Sequence, residues 1–177
     1  QSISECVGSG CSYVDGWSGC MSSVIRGDDG FDSAYADGPA FYAMTVSGSF
    51  SASTTVKVPF SVEIFDTDNC YNPSTYRFTP NKAGYYYMAM SLDVRGGGTA
   101  VAEMFILLNG TYVAGKRAGT GLKPASSPVW MTISSLIYFN GTTDYAEGYV
   151  YSAMTSPALD ESNDSDCYFT GCFLRGA

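Results

Sequence analysis

The sequence predicts an all-β protein, an antiparallel sandwich or jelly roll preceded by a Cys-containing N-terminal arm. Two observations predict the sandwich: several segments alternate apolar and polar residues with a period of two, and Asn-Gly and Gly-rich turns separate these segments. A third excludes a helical fold, because no segment keeps apolar residues at i, i+3, i+4 and i+7. The 177 residues suffice for one domain of about 100–200 residues and an arm.

The clearest strand is residues 85–95, in which alternate residues from Tyr86 to Val94 are apolar. Residues 129–139 repeat this pattern, and residues 100–108 are apolar on both faces except at Glu103, which predicts a central strand. Asn109-Gly110 predicts a tight hairpin, because both residues adopt positive φ at low cost. The remaining predicted strands are residues 40–47, 56–65, 76–79, 112–116, 144–152 and 167–175.

Charge and composition exclude several classes of function. Nine Lys and Arg against 17 Asp and Glu give a net charge of −8, which argues against nucleic acid and anionic membranes as partners. The chain has no His, so a Ser-His-Asp triad and a His-ligated metal are excluded. No apolar run approaches the ~20 residues of a membrane span.

Six cysteines, Cys6, Cys11, Cys20, Cys70, Cys167 and Cys172, are candidates for disulfides, with buried thiols or a Cys₄ zinc site as alternatives. Cys167 and Cys172 should not pair with each other, because five steps of extended strand separate their Cα atoms by roughly 16 Å. Three cysteines lie in the first twenty residues, so full pairing requires at least one bridge from that segment to the rest of this or another subunit.

The cysteines and the first residue predict an extracellular location. Disulfides form in oxidising compartments. A chain that begins at Gln1 indicates a removed signal peptide, although a trimmed chain would look the same. Three N-x-[ST] sequons make Asn109, Asn140 and Asn163 candidate glycosylation sites if the source modifies asparagine.

Residues 1–38 form the predicted arm, and residues 39–177 the domain. The arm is rich in Gly, Ser and Asp and holds half of the cysteines. About 20 extended residues reach some 65 Å, far enough to cross to a neighbouring subunit. The alternative is a disulfide-stapled loop that packs on its own domain.

Residues 71–87, Tyr-Asn-Pro-Ser-Thr-Tyr-Arg-Phe-Thr-Pro-Asn-Lys-Ala-Gly-Tyr-Tyr-Tyr, resemble the signature of C1q-like domains. That signature is an Asn-containing loop, Phe-Thr, a Pro/Gly turn and an aromatic strand. Further motifs occur in the family's order: Ala40-Phe41-Tyr42-Ala43, Val58-Pro59-Phe60, Phe65-Asp66, Leu108-Asn109-Gly110 and Phe169-Thr170-Gly171-Cys172-Phe173-Leu174.

This resemblance covers about residues 40–177, and the motif sequences are most similar to those of microbial and bacteriophage members. It implies a ten-stranded jelly roll that often trimerises and serves structure and recognition rather than catalysis. No Gly-X-Y stalk is present, so the complement architecture of animals is not implied, and the arm has no counterpart in the family.

Acidic clusters are the only predicted ion sites, and Ca²⁺ is the ion that they would suit. None matches the EF-hand spacing, and the alternative is a solvated acidic loop. No other cofactor is expected. The three clusters are Asp28, Asp29 and Asp32; Asp66, Asp68 and Asn69; and Asp160, Glu161, Asn163, Asp164 and Asp166.

Two further sets of residues have side chains that could cleave or bind a saccharide. Glu63, Glu103 and Glu147 could supply a glycosidase carboxylate pair, but each lies in a predicted strand, where a Glu usually faces solvent. Five tyrosines could stack on sugars and form a carbohydrate-binding face, or belong to a core or subunit interface instead. These are Tyr85, Tyr87, Tyr145, Tyr149 and Tyr151.

The function predicted from the sequence is that of a non-enzymatic structural subunit. It would self-assemble, as a trimer or helical fibre, into an extracellular fibre or virion surface structure whose arms link subunits. The alternative is a trimeric receptor- or carbohydrate-binding head, with cell-surface carbohydrate as the partner. A hydrolase is the third hypothesis.

Overall fold

A computed structural model describes residues 38–98, 101–116, 129–160 and 167–176. Most of the arm lies outside this range, and so does every prediction for Cys6, Cys11, Cys20, Asn163, the first acidic cluster and most of the third. The strands of the described part are β1 (Ala40–Met44), β2 (Gly48–Ser49), β3 (Thr55–Lys57), β4 (Val62–Asp66), β5 (Tyr71–Asn72), β6 (Arg77–Phe78), β7 (Ala83–Gly97), β8 (Ala102–Leu108), β9 (Thr111–Lys116), β10 (Val129–Asn140), β11 (Ala146–Ser152), β12 (Thr155–Leu159) and β13 (Tyr168–Arg175).

The strands form two antiparallel sheets. Sheet A has the order β10-β7-β13-β1-β4, and β12 and β2 continue it beyond the end of β13. Sheet B has the order β5-β6-β11-β8-β9, with β3 also paired to β11. The all-β prediction is therefore confirmed for the described residues, which contain no helix. No described segment forms a helix long and apolar enough to cross a membrane.

The core lies between the two sheets. Alternate residues of β7 face inward, and Tyr86, Met88, Met90 and Leu92 are each 0% exposed, as the period-two pattern predicts. From sheet B, buried residues such as Ile106 complete the core. At roughly 25 cal/mol per Å² of apolar surface, this burial is the main term that stabilises the sandwich.

The turn between β8 and β9 is the tight hairpin that the sequence predicts. Asn109 has φ of 52° and Gly110 has φ of 76°, the two positive angles of a two-residue turn. A bulge shifts the register between β8 and β9 at Ile106 and Leu107. β8 lies inside sheet B but only one strand from its edge.

The prediction of one strand over residues 56–65 is wrong. Residues 55–57 belong to sheet B and residues 62–66 to sheet A, so the chain changes sheets between them. Pro59 has no N–H to donate to a ladder, and Phe60 and Ser61 donate instead to the carbonyls two residues back. Buried Val58 and Phe60 anchor the crossing. The short strands β2, β5 and β12 were not predicted.

Candidate interaction surfaces

The outer face of sheet A is an apolar surface formed by the outward side chains of β10, β7, β13 and β1. One row crosses all four strands, with Leu136 opposite Tyr87, Tyr87 opposite Cys172, and Cys172 opposite Ala40. Leu136 is 63% exposed and Tyr87 42%. Trp130, on the same face of β10, is 67% exposed. A contiguous exposed apolar patch marks an interaction site more often than single exposed apolar side chains do.

Charged residues occur on this face only at its ends, within the described part of the four strands. Arg175 lies opposite Tyr85 at one end, and Asp93 and Arg95 lie on β7 at the other. Between them the outward residues are aromatic, aliphatic, small or hydroxylic. Tyr42 stacks on Tyr168 with ring centroids 5.3 Å apart. A charge-depleted aromatic centre with charges at the rim is typical of protein–protein interfaces.

The outer face of sheet B holds a buried carboxylate between two cations. Glu147 Oε1 accepts hydrogen bonds from Lys57 Nζ at 2.8 Å and from Arg77 Nε and Nη2 at 3.0 and 2.8 Å. Tyr149 donates its hydroxyl to Oε2 at 3.2 Å. The Glu147 side chain is 3% exposed, Lys57 30% and Arg77 37%. The three charged residues, on three strands, tie β3 and β6 to β11.

Burial alone would raise the pKa of the Glu147 carboxyl, but the hydrogen bonds and positive charges of Lys57 and Arg77 outweigh it and lower that pKa. For Tyr149, burial and the neighbouring Glu147 charge both raise the pKa of the phenol. Glu147 therefore stays ionised and Tyr149 stays protonated at neutral pH. The expectation that Glu147 faces solvent is wrong, because the cations of adjacent strands cover it.

The glycosidase hypothesis finds no carboxylate pair among its three candidates. Glu63 is exposed on β4 of sheet A, whereas Glu103 and Glu147 lie on sheet B. Glu103 pairs with Tyr151, four residues from Glu147, a separation of roughly 13 Å and longer than the 5–9.5 Å that catalysis uses. A cavity of about 60 Å³, lined by residues that include Val46, is too small for a sugar ring.

The five tyrosines do not form one face. Tyr85 and Tyr87 lie on sheet A, and Tyr145, Tyr149 and Tyr151 lie at the outer face of sheet B. Two residues that the sequence reasoning missed join the second group: Phe105 pairs with Tyr149 across the strands, and its ring meets that of Tyr112 at 5.0 Å. The available signal was an aromatic residue in each of two predicted strands that the Asn109-Gly110 turn joins.

No disulfide joins any two of the three cysteines in the described residues. Cys70 is 6% exposed and Cys167 0%, whereas Cys172 is half-buried on the outer face of sheet A. Cys167 and Cys172 lie on opposite faces of sheet A, which agrees with the expectation that they do not pair. Burial raises the pKa of the Cys70 thiol. Pairing with the arm cysteines stays a prediction.

The described acidic residues mostly serve local structure. Asp66 accepts the amide of Asp68 at 3.4 Å and that of Tyr71 at 2.7 Å, so its carboxylate caps a turn. Asp160 pairs with Arg95 at 2.5 Å. Among the described residues, no group of three acidic, Cys or His side chains is arranged to hold a metal. The first cluster and the rest of the third lie outside that range.

Asp93, on the face of β7 that the alternation predicts to be polar, is 1% exposed. Its Oδ2 accepts from Arg95 at 3.3 Å, and its backbone N–H donates to Cys167 Sγ at 3.1 Å. Its Oδ1 has no hydrogen-bond partner. Strand β12, which the sequence did not predict, pairs with β7 at Val94 and Arg95, the two residues that follow Asp93.

The two described sequons belong to one turn cluster. Asn140 Oδ1 accepts the backbone amides of Thr142, Thr143 and Asp144, and Asn109 Nδ2 donates to Asp144 Oδ1 at 2.8 Å. Asn109 and Asn140 are exposed, so glycosylation at either stays a prediction. Their side chains already close the β8–β9 and β10–β11 connections.

The chain is similar in structure to the globular domain of zebrafish complement 1qA protein, with a TM-score of 0.56 and 12% sequence identity. The similarity covers 78% of this chain and 99% of that one. It confirms the C1q-like jelly-roll fold that the motifs predict, and at this identity it shows the fold alone. No family model matches the sequence, and no curated protein matches it.

Proposed function

We propose that this protein is a self-associating head whose subunits join through the outer face of sheet A. The observation that carries the proposal is the row Leu136–Tyr87–Cys172–Ala40, an uncharged strip across four strands in which the first two residues are exposed and the last two half-buried. The solvent-exposed face of an antiparallel sheet normally carries polar residues, which alternate along each strand with the apolar residues of the buried face. Burial of this strip between copies removes apolar surface from water, which favours association.

A closed trimer is the expected assembly. The C1q-like fold supports this number of subunits, because domains of this fold commonly trimerise. In a cyclic trimer the contact is heterologous, so two different patches of each subunit meet. Sheet A offers two at opposite edges: Trp130, Leu136 and Tyr138 on β10, and Val62, Ile64 and Phe65 on β4.

The finer role is that of a non-enzymatic structural subunit of an extracellular fibre or virion surface structure. The low charged fraction of 15%, the six cysteines and the lack of His support it. In this proposal, residues 1–38 link one trimer to the next. The second candidate is a discrete trimeric binding head, favoured by the aromatic residues on the outer face of sheet B.

Negative-stain microscopy of the purified full chain separates these roles. Open-ended filaments support the structural subunit, and uniform single particles of trimer size support the binding head. Deleting residues 1–38 should leave folded trimers that no longer polymerise. Equal polymerisation of the truncated and full chains would show that residues 1–38 do not link trimers. Monomeric particles would contradict self-association itself.

A further inference from the structure

The outer face of sheet B carries an aromatic patch beside two cationic side chains, Lys57 and Arg77, whose N–H groups are not all hydrogen-bonded to described residues. The patch consists of Phe105, Tyr112, Tyr145, Tyr149 and Tyr151. Tyr112 is 57% exposed and the other four are half-buried, so the rings are packed but accessible. This face belongs to the sheet opposite the proposed association face, so self-association through sheet A leaves it open.

Lys57 and Arg77 together hold more donors than their neighbours use. A lysine ammonium has three N–H groups and an arginine guanidinium has five. Lys57 donates to Glu147 and to the Thr75 carbonyl, the latter at 3.3 Å, and Arg77 donates twice to Glu147. Four N–H groups thus have no acceptor among the described residues.

The charge balance of the cluster points to an anion. Two positive side chains share the single negative charge of Glu147, so one positive charge is uncompensated within a chain of net charge −8. Glu103, a second acidic residue among the described outward residues of this sheet, lies on β8 opposite Tyr151, roughly 13 Å from Glu147. Arg77 is held in place by stacking on the Tyr145 ring, 3.6 Å from its centroid.

We propose that this surface binds a carboxylated saccharide, with the sugar carboxylate on Lys57 and Arg77 and the adjoining sugar rings on Tyr149 and Tyr151. Arginine binds carboxylates in a planar, bidentate geometry, which its free N–H groups allow here. Tyrosine rings pack with their faces against the apolar surfaces of sugar rings. An acidic peptide would use the same cations but gain less from a row of aromatic rings.

Glu147 is a positioning residue in this proposal. Its carboxylate orders both cations from a buried position, and Tyr149 is fixed by the hydroxyl that it donates to Oε2. The site is thus organised before the ligand arrives, which lowers the entropic cost of binding.

Calorimetric titration of the full chain with oligogalacturonate tests the proposal, with a neutral galactose oligomer and poly-L-glutamate as comparison ligands. Saturable binding of oligogalacturonate alone is expected. Lys57→Gln should weaken it about ten-fold or more, since hydrogen bonds between charged groups contribute on this scale. Arg77 still holds Glu147 through two hydrogen bonds in that variant, so the fold is retained.

Lys82→Gln is the matched control, because it removes the same charge from a side chain that lies against Phe173 of sheet A. It should leave the affinity unchanged. Tyr151→Ser should weaken oligogalacturonate binding at least several-fold while its melting temperature stays near that of the parent. Equal loss in both lysine variants, tighter binding of poly-L-glutamate, or no binding of oligogalacturonate would each overturn the proposal.

The outcome is separable from the proposed self-association. Sedimentation of the same variants reports the oligomeric state, which Lys57→Gln and Tyr151→Ser should not alter. An intact trimer that does not bind oligogalacturonate refutes only the saccharide site, whereas a monomer that binds it refutes only self-association.

Discussion

Replacement of Glu147 by glutamine is expected to lower the free energy of unfolding by about 1–3 kcal/mol at pH 7. The side chain is 3% exposed, and its Oε1 accepts three hydrogen bonds from two cations. Loss of one partner from a buried ion pair costs about 3–5 kcal/mol, because a buried charge is left unpaired. Lys57 and Arg77 are about a third exposed and can recover water, so the cost is smaller here.

The effect of Glu147→Gln should vanish in acid. The folded-state pKa of Glu147 lies below its ordinary value, so its stabilisation is complete above the unfolded pKa of about 4.3. That stabilisation is lost as the pH falls through the folded-state pKa, because protonated Glu147 then resembles glutamine. The difference in unfolding free energy between parent and variant therefore shrinks toward zero below about pH 4.

Urea unfolding followed by tryptophan fluorescence measures this difference at pH 7 and pH 3, at one protomer concentration because association adds to stability. Glu63→Gln is the control, since Glu63 is exposed on β4, and it should change the free energy of unfolding by less than about 0.5 kcal/mol. A deficit for Glu147→Gln that is equally large at both pH values would refute the reasoning.

Gly141→Ala should destabilise the fold by about 2 kcal/mol or more, because Gly141 has φ of 72° and a Cβ there would lie 2.3 Å from the Ala83 backbone nitrogen. Gly110 has φ of 76°, but a Cβ there would have no atom within 4 Å, so Gly110→Ala should lower the free energy of unfolding by only about 1 kcal/mol. Thermal or urea unfolding measures both variants, and equal costs would contradict the packing argument. Under reducing conditions, maleimide should label Cys172 slowly in the assembled protein and quickly in Leu136→Glu, and equal rates would place Cys172 outside the association face.

The sequence predicted the architecture well where a physical rule acts locally. Period-two alternation identified the buried face of β7, and the Asn109-Gly110 dipeptide identified the hairpin. It failed where long-range pairing decides the outcome. The crossing between sheets at Pro59 and the short strand β12 depend on neighbours that are distant in the chain, and no local pattern identifies them.

The interaction surfaces were only partly predictable for the same reason. The tyrosines were recognised as interaction residues, but only the strand order shows that they divide between two sheets. Glu147 looked like a solvent-facing strand residue, because Lys57 and Arg77 approach it from positions 90 and 70 residues away. Outward Trp130 and Leu136 on β10 were the strongest overlooked signal, since apolar residues there break the expected polar face.

Sedimentation velocity of the full chain and of Leu136→Glu, under reducing conditions, tests the central claim of self-association through sheet A most directly. Tyr112→Glu is the control, because Tyr112 is similarly exposed, 57% against 63%, but lies on sheet B. The parent and Tyr112→Glu should sediment as trimers or as assemblies of trimers, and Leu136→Glu as a folded monomer of 18.9 kDa. A monomeric parent, or a Leu136→Glu variant that associates as well as the parent, would contradict the account.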